Sequence, residues 1–202
     1  MKLNLNVMKK SIVGYAALAA LAASATSHAG PWDDKVHRLL NDEVSQWLSD
    51  PVVISSVKRQ NSEHARLTQS DIDRLDKQWR NETKQLDRPL VDAVLGNSLS
   101  EHLRDVADEA DGLYAEIFVM DNKGLNVGQS AVTSDYWQGD EAKWKKTYLE
   151  GPDSVLIDQI EYDDSATRFQ IQVSISVVDP KTQSVIGAAT IGLAMRQLAL
   201  RE

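Results

Sequence analysis

Cysteine is absent from the 202 residues of the sequence. Its absence excludes disulfide bridges, thiolate metal sites and a cysteine nucleophile. Long hydrophobic runs are also missing after the first 29 residues, whereas a membrane-spanning helix needs about 20 predominantly apolar residues. The folded chain must therefore be stabilised by side-chain packing, and its five tryptophans and five tyrosines provide bulky apolar surface for that purpose.

Basic residues are scarce relative to acidic ones. The 22 lysines and arginines face 30 aspartates and glutamates, which gives a net charge of −8 at pH 7. Three of the lysines lie within residues 1–29, which hold no acidic residue, so the charge of the remaining chain is near −11. A surface with this charge repels phosphate groups. We therefore expect neither nucleic acid nor an anionic membrane as a partner.

Residues 1–29 have the pattern of a secretory signal peptide. The pattern consists of a basic start with Lys2, Lys9 and Lys10, an apolar run over residues 12–23, and the small-residue site Ser27-His28-Ala29. We expect cleavage after Ala29, export to the periplasm, and a product without a membrane-inserted segment. The same lysines and apolar run would also suit an uncleaved N-terminal anchor. Residues 30–202 have the length of one ordinary domain.

The first half of the exported chain, residues 32–111, has apolar residues at helical spacing and is predicted to be helical. A long amphipathic helix runs from Trp32 to about Leu48. Asp50 followed by Pro51 predicts the cap and the first turn of a second helix. Ser70 with Asp73 resembles the capping box of a third helix, whose apolar face would carry Ile72, Leu75, Trp79 and Leu86.

Beyond Gly112 the sequence changes to strand patterns. Five strands are predicted, over residues 113–120, 125–130, 155–162, 168–178 and 184–194. The fourth strand alternates apolar and polar residues, which predicts a core face formed by Phe169, Ile171, Val173, Ile175 and Val177. The resulting fold class is α+β, with long N-terminal helices followed by a five-stranded antiparallel sheet over residues 113–194.

The order of these elements resembles the single Cache domains, which are PAS-like sensor modules found outside the bacterial cytoplasm. The resemblance rests on the long N-terminal helix, the strand that ends in Asp121-Asn122-Lys123-Gly124, the aromatic segment from Thr133 to Trp144, and the three closing strands. Such domains usually lie between two membrane helices of a chemoreceptor, histidine kinase or cyclase and bind small molecules over the sheet. The resemblance implies a PAS/Cache-like sheet, ligand binding, and a stand-alone secreted version that signals through a partner protein.

Residues 136–149 are predicted to form a short helix or lid between the second and third strands. Aromatic walls with a few aimed polar groups are typical of small-ligand sites, and carboxylates beside aromatic rings favour an ammonium group. The candidate ligand-binding residues of this segment are Asp135, Tyr136, Trp137, Asp140 and Trp144. Alternatively, the aromatic side chains fill the core beneath the lid.

The polar face of the fourth strand provides further candidates. Arg168 and Gln170 would form the floor of a pocket if this face turns toward the lid, and Arg168 could bind a ligand carboxylate. Tyr114 could add a wall. Alternatively, this strand face is solvated, because antiparallel sheets often expose one side to water.

No pattern in the sequence predicts a cofactor, a metal site or catalysis. The turn at Asp121 lacks the later ligands of a calcium loop, and His37, His64 and His102 do not have the spacing of paired metal ligands. Nucleophile-elbow, phosphate-loop and dinucleotide motifs are absent as well. We therefore predict a protein that is not an enzyme.

The leading hypothesis is a periplasmic sensory module that captures a small polar molecule, such as an amino acid or an amine, beneath the lid. Its partner would be a membrane receptor or a sensor kinase. The alternative is a ligand-free periplasmic interaction protein that uses its long N-terminal helix to dimerise or to dock, because the apolar stripe of that helix exceeds what a free helix would show. A homodimer is compatible with both hypotheses.

Overall fold

A computed structural model describes residues 30–163 and 168–201. Within these residues, helices occupy the chain up to Glu109 and a five-stranded antiparallel sheet follows, which confirms the predicted α+β fold class. The helical elements are α1 (Asp33–Leu39), a π-helical turn (Leu40–Val44), α2 (Ser45–Leu48), α3 (Pro51–Glu63), α4 (Gln69–Glu82), α5 (Pro89–Leu95), α6 (Ser98–Glu109), α7 (Ala142–Lys145) and α8 (Met195–Leu200). The strands are β1 (Tyr114–Met120), β2 (Asn126–Gln129), β3 (Val155–Asp163), β4 (Arg168–Val178) and β5 (Val185–Ala194).

The N-terminal helix comprises α1, the π-helical turn and α2, and it buries one apolar side. Val36, Leu40, Val44 and Leu48 are all buried, at intervals of four residues. An α-helix turns once in 3.6 residues, so side chains at every fourth position drift around its surface. The wider π-helical turn offsets this drift. All four side chains consequently remain in contact with the main core.

Side-chain caps fix the starts of the next two helices. Asp50 accepts a hydrogen bond from Val52 N at 2.8 Å, which confirms the predicted start of α3. The capping box of α4 is formed by Thr68 and Asp71, so the prediction of a box at residues 70 and 73 was wrong by two residues. Both pairs have the same three-residue spacing, and the structure uses the earlier one.

Helix α4 ends earlier than its apolar pattern predicted. Its last residue, Glu82, accepts hydrogen bonds from Leu90 N at 2.7 Å and from Val91 N at 3.1 Å, and so caps the start of α5. The residues between the two helices form turns. Leu86 therefore lies outside the helix and is fully exposed, which contradicts its predicted place on the apolar face.

The strand order across the sheet is β2-β1-β5-β4-β3, and all neighbours are antiparallel. Strand β5 is central, in agreement with its apolar sequence on both faces. The turn between β1 and β2 contains Gly124 with a φ of +82°, a conformation that favours glycine. Strands β2 and β3 lie at opposite edges, so the chain between them crosses the sheet.

One face of the sheet forms the main core. Ile117, Val173 and Ile191 are fully buried there and share one apolar cluster with side chains of the N-terminal helix, α3 and α6. The predicted core face of β4 is confirmed for most of its length. Phe169 is the exception: it is 60% exposed at the end of the strand and packs edge-on against Tyr162, with 5.1 Å between the ring centroids.

The second face of the sheet carries polar side chains that are nevertheless buried. Ser174, Ser176 and Thr190 are at most 3% exposed. Ser174 and Thr190 share a hydrogen bond of 2.9 Å, and Ser176 donates to Gly151 O at 2.7 Å. The alternative of a solvated strand face is thus wrong for this part of β4, because the segment between β2 and β3 covers it.

The predicted signal peptide, residues 1–29, lies outside the described residues, as do residues 164–167 and 202. Among the helices of the described part, none combines the length and apolar character that a membrane span requires.

Candidate functional site

Residues 135–151, within the segment that connects β2 to β3, form a lid that contains one short helix. Residues 142–145 form α7, which contacts β4 and β5. The start of the lid is held extended, because Trp137 pairs with Leu125 and Gln138 N donates to Gly124 O at 2.7 Å. The lid is therefore attached to the β1–β2 turn before it crosses the sheet.

Asp76 on α4 anchors the start of the lid. Its buried carboxylate accepts hydrogen bonds from Tyr136 N at 2.9 Å and from Trp137 N at 3.0 Å. Arg80, one helical turn later, donates to Asp76 at 2.7 Å and pairs with Asp135 at 2.9 Å. The hydrogen bond to Asp76 raises the pKa of Arg80, which keeps the guanidinium charged. The candidate residue Asp135 thus fastens the lid to α4.

Tyr136 lies in a small core between the lid and the helices α4 and α5. It is 3% exposed and stacks on Trp79, with 5.3 Å between the ring centroids, while Leu125 packs against the same cluster. Burial raises the pKa of Tyr136, and the negative charges of Asp121 and Glu63 add to this effect. The Tyr136 ring therefore fills part of this small core.

Trp144 and Tyr148 hold the second half of the lid against the sheet. Their rings stack with 4.9 Å between the centroids and pack on Phe118 and Met120 of the second face. The Trp144 indole also donates to Asp121 O at 3.1 Å. The aromatic side chains at this end of the lid occupy the space next to the sheet.

The other two candidate residues of the lid, Trp137 and Asp140, lie in different environments. Trp137 is half-buried and its indole donates to Lys123 O at 2.8 Å, which ties the lid to the β1–β2 turn. Asp140 is exposed and contributes negative charge near Arg80.

Beneath the lid, Asp121 of the β1–β2 turn has a buried carboxylate. Two of its partners were not predicted from the sequence. One oxygen of Asp121 accepts hydrogen bonds from Lys123 N at 2.8 Å and Leu125 N at 2.9 Å, as a tight turn predicts. The other lies 3.0 Å from Gln60 Nε2 and 2.8 Å from His64 Nδ1. Gln60 lies in α3 and His64 directly follows that helix, 61 and 57 residues before Asp121, so no local pattern reveals them. Within residues 30–163 and 168–201, no group of three or more potential ligands is placed to hold a metal ion.

Arg168 and Gln170 lie at the far end of β4 from the lid aromatics. Trp144 packs near Ala188, which pairs with Ser176, six residues after Gln170; this separation corresponds to about 20 Å along a strand. Arg168 lines a cavity of about 440 Å³ beside α8. The structure therefore does not bring these two residues together with Trp144.

The last candidate, Tyr114, lines a cavity between the N-terminal helix, α6 and β1, which we name the helix–strand cavity. Its volume is about 310 Å³. The π-helical turn supplies part of its wall, and such turns are frequent at functional sites. The lining is mainly acidic and aromatic, and consists of Asp42, Glu43, Gln46, Trp47, Val106, Glu109, Ala110, Tyr114 and Arg201.

Two polar atoms in the wall of this cavity are buried without a hydrogen-bond partner, the Tyr114 hydroxyl and Trp47 Nε1. Tyr114 is 6% exposed. The Trp47 indole lies close enough to the Tyr114 hydroxyl to lower the pKa of the phenol, although the two groups do not form a well-oriented hydrogen bond. An unpaired buried polar group costs about 1–3 kcal/mol. A bound molecule that supplied the missing hydrogen bonds would therefore be stabilised at this position.

The charges around the helix–strand cavity are unbalanced. Three carboxylates and one guanidinium line it, and the guanidinium of Arg201 pairs with Glu43. Asp42 and Glu109 form no ion pair with other described residues. Burial raises the pKa of Tyr114 to about 12, and the charge of Glu43 adds to the shift, so the phenol is neutral near pH 7. The excess negative charge favours a cation.

Sequence comparison finds no family model that matches the chain and no curated protein that matches it. Solved structures do match. The sensor domain of the V. cholerae histidine kinase DctB is 13% identical over 81% of this chain, with a TM-score of 0.37. The sensory domain of the C. jejuni chemoreceptor Tlp3 is 13% identical over 82%, with a TM-score of 0.40. The ligand-binding domain of the P. aeruginosa amino acid chemoreceptor PctC, in complex with GABA, is 14% identical over 82%, with a TM-score of 0.35. This chain covers 59%, 64% and 61% of these three chains, about three fifths of their length.

Proposed function

We propose that the protein is a small-molecule-binding sensory module of the periplasm, and that it captures a small ammonium-bearing molecule, such as an amine or an amino acid, in the helix–strand cavity. The observation that carries the proposal is the buried Tyr114 hydroxyl, which has no hydrogen-bond partner and lines a cavity together with the carboxylates of Asp42 and Glu109.

The size and chemistry of the cavity suit such a ligand. A volume of about 310 Å³ is at the small end of the range for ligand pockets, so the occupant is small. An ammonium group is attracted by carboxylates and by the face of an aromatic ring such as Trp47. Its N–H groups can donate to the Tyr114 oxygen, which removes the cost of leaving that atom unpaired.

The N-terminal helix connects the cavity with the core and with the protein surface. Asp42, Glu43 and Trp47 line the cavity, whereas Val44 and Leu48 of the same helix pack in the core. A ligand that contacts this helix therefore alters the surface that the helix presents. We propose a membrane receptor or a sensor kinase as the partner that reads this change.

The ligand-free interaction protein has less support. Its motive was the apolar stripe of the N-terminal helix, formed by Val36, Leu39, Leu40, Val44, Trp47 and Leu48. All of these side chains except Trp47 are 0–7% exposed, because they pack in the core of the same chain, and the half-buried Trp47 packs against that core. The stripe is therefore not a free docking surface.

The proposal is tested by thermal unfolding of the purified protein with amines, amino acids, neutral alcohols and organic acids. A ligand at 100 times its dissociation constant adds about 2.7 kcal/mol to the free energy of unfolding. We expect a shift only with ammonium-bearing molecules. Glu109→Gln should weaken binding by about 1 kcal/mol. Asp108→Asn is the matched control, since Asp108 is exposed on α6 and does not line the cavity.

The absence of a shift throughout the panel would contradict the proposal. A second outcome would place the ligand beneath the lid, where the sequence predicts it. In that case Trp137→Ala would abolish binding, whereas Glu109→Gln and Tyr114→Phe would retain it.

A further inference from the structure

The C-terminal end of the described chain lies against the N-terminal helix beside the helix–strand cavity. Leu198 of α8 is fully buried in the main core. Lys35 donates to Ala199 O at 3.3 Å and to Arg201 O. The Arg201 guanidinium pairs with the Glu43 carboxylate. The last residues of α8 and Arg201 are thus held to the N-terminal helix by three polar contacts, two from Lys35 and one from Glu43.

Arg201 is the cation that this chain itself places in the wall of the cavity. Its side chain is 36% exposed and that of Glu43 is 45% exposed, so the ion pair is accessible to water and to solutes. Asp42 and Glu109 remain without an ion pair among the described residues. A ligand ammonium that enters the cavity therefore meets two carboxylates without an ion pair in the described chain, Asp42 and Glu109, and a third, Glu43, that is paired with Arg201. Lys35 and Arg38 lie beside Asp42 and Glu43 in a smaller adjoining cavity.

We propose that Arg201 is an internal competitor for the ligand cation: the ligand displaces Arg201 from Glu43 and thereby loosens α8 from the N-terminal helix. This inference rests on the proposed function of the same cavity. It assigns Arg201 a role in coupling, because the occupancy of the cavity and the docking of residues 195–201 compete for one carboxylate.

Competition has two measurable consequences. Removal of the guanidinium should tighten ligand binding, because Glu43 is then available to the ligand in every molecule. An exposed ion pair changes such an equilibrium by about 1.5- to 5-fold. Coupling between two equilibria is reciprocal, so the ligand must also loosen the docked end by the same factor. Ligand binding would then accelerate local opening of residues 195–201, whereas a ligand without this coupling protects or does not affect them.

The experiment measures dissociation constants of trimethylammonium, n-butylammonium and 1,4-diaminobutane by calorimetry, for the wild type, Arg201→Gln and Arg196→Gln. Arg196 is the matched control, because it lies on α8 five residues before Arg201 and lines the cavity beside α8 that also contains Arg168. We expect Arg201→Gln to bind the tightest of the three probes about 1.5- to 5-fold more strongly, and Arg196→Gln to bind it as the wild type does. Amide hydrogen exchange of residues 195–201 should become faster in the wild type when this probe is added.

The possible failures are distinguishable. If none of the probes binds to the wild type or to Arg201→Gln, both the proposed function and this inference are overturned. If a probe binds to the wild type but Arg201→Gln has the same or a lower affinity, the inference alone is overturned. Slower or unchanged hydrogen exchange of residues 195–201 in the presence of a bound probe would also overturn the inference and leave the proposed function in place.

Discussion

The Tyr114 hydroxyl is a side-chain group whose ionisation the fold suppresses. Burial, together with the charge of Glu43, raises its pKa to about 12, compared with about 10 in an unfolded chain. The phenol is neutral in both states below pH 10, so its contribution to stability is fully present there. Between pH 10 and 12 the unfolded chain ionises first, and the free energy of unfolding falls.

We predict that Tyr114→Phe removes this part of the pH dependence. At pH 11.5 the wild type should have lost on the order of 2 kcal/mol through Tyr114, relative to pH 9, and the variant should lose correspondingly less. Urea unfolding at the two pH values measures the difference. Tyr162→Phe is the control, because Tyr162 is 51% exposed on β3. Equal losses in Tyr114→Phe and the wild type would refute the assignment.

At this scale the sequence identified Tyr114 as a candidate, but not its surroundings. Trp47 precedes it by 67 residues, and Arg201 follows it by 87. Their proximity results from packing of the N-terminal helix and α8 on the same face of the sheet, which no local spacing encodes. For the predicted lid residues, the sequence suggests a site but the structure shows other contacts. Their aromatic and acidic composition suits a ligand site, whereas in the fold Tyr136 stacks on Trp79 and Asp135 pairs with Arg80.

At the scale of elements, α4 holds the start of the lid through the Asp76 carboxylate, in addition to the contacts between the lid and the β1–β2 turn. We predict that Asp76→Ala lowers the free energy of unfolding by about 2–3 kcal/mol, because one buried and one partly buried backbone N–H group lose their acceptor. Amide exchange of residues 136 and 137 should accelerate more than that of β5. Asp73→Ala is the matched control, since Asp73 is exposed on the same helix and accepts only from Gln69. Equal effects of the two substitutions would show that Asp76 does not anchor the lid.

Element boundaries were predictable where the pattern is local. The bounds of β4 agree with the prediction, because apolar and polar residues alternate along it without interruption. The lid was harder to predict: Trp137, Trp144 and Tyr148 have helical spacing in the sequence. In the structure Trp137 is held by the β1–β2 turn, so that only residues 142–145 are helical. A tertiary contact with the β1–β2 turn, 14 residues earlier, overrides the helical pattern there.

For the whole molecule, the net charge of −8 at pH 7 creates a field that attracts cations. We predict that the proposed ammonium ligand binds more weakly at 0.5 M than at 0.01 M salt, by about tenfold, because the screening length falls from about 30 Å to a few ångströms. Calorimetry with n-butylammonium at both salt concentrations measures the change. The dependence should be steeper in Arg201→Gln, since salt also weakens the competing ion pair. An affinity independent of salt would contradict a charge-based site.

The central position of β5 has a consequence for the biogenesis of the protein. Strands β1 and β4 both pair with β5, the last strand of the sheet in chain order. Until residues 185–194 have been synthesised, β1–β2 and β3–β4 are separate hairpins, and isolated two-stranded units are marginally stable in water. The sheet therefore cannot close during translation of the earlier residues. A polypeptide with this strand order completes its sheet only after its last strand has left the ribosome, so assembly of the sheet is a post-translational step.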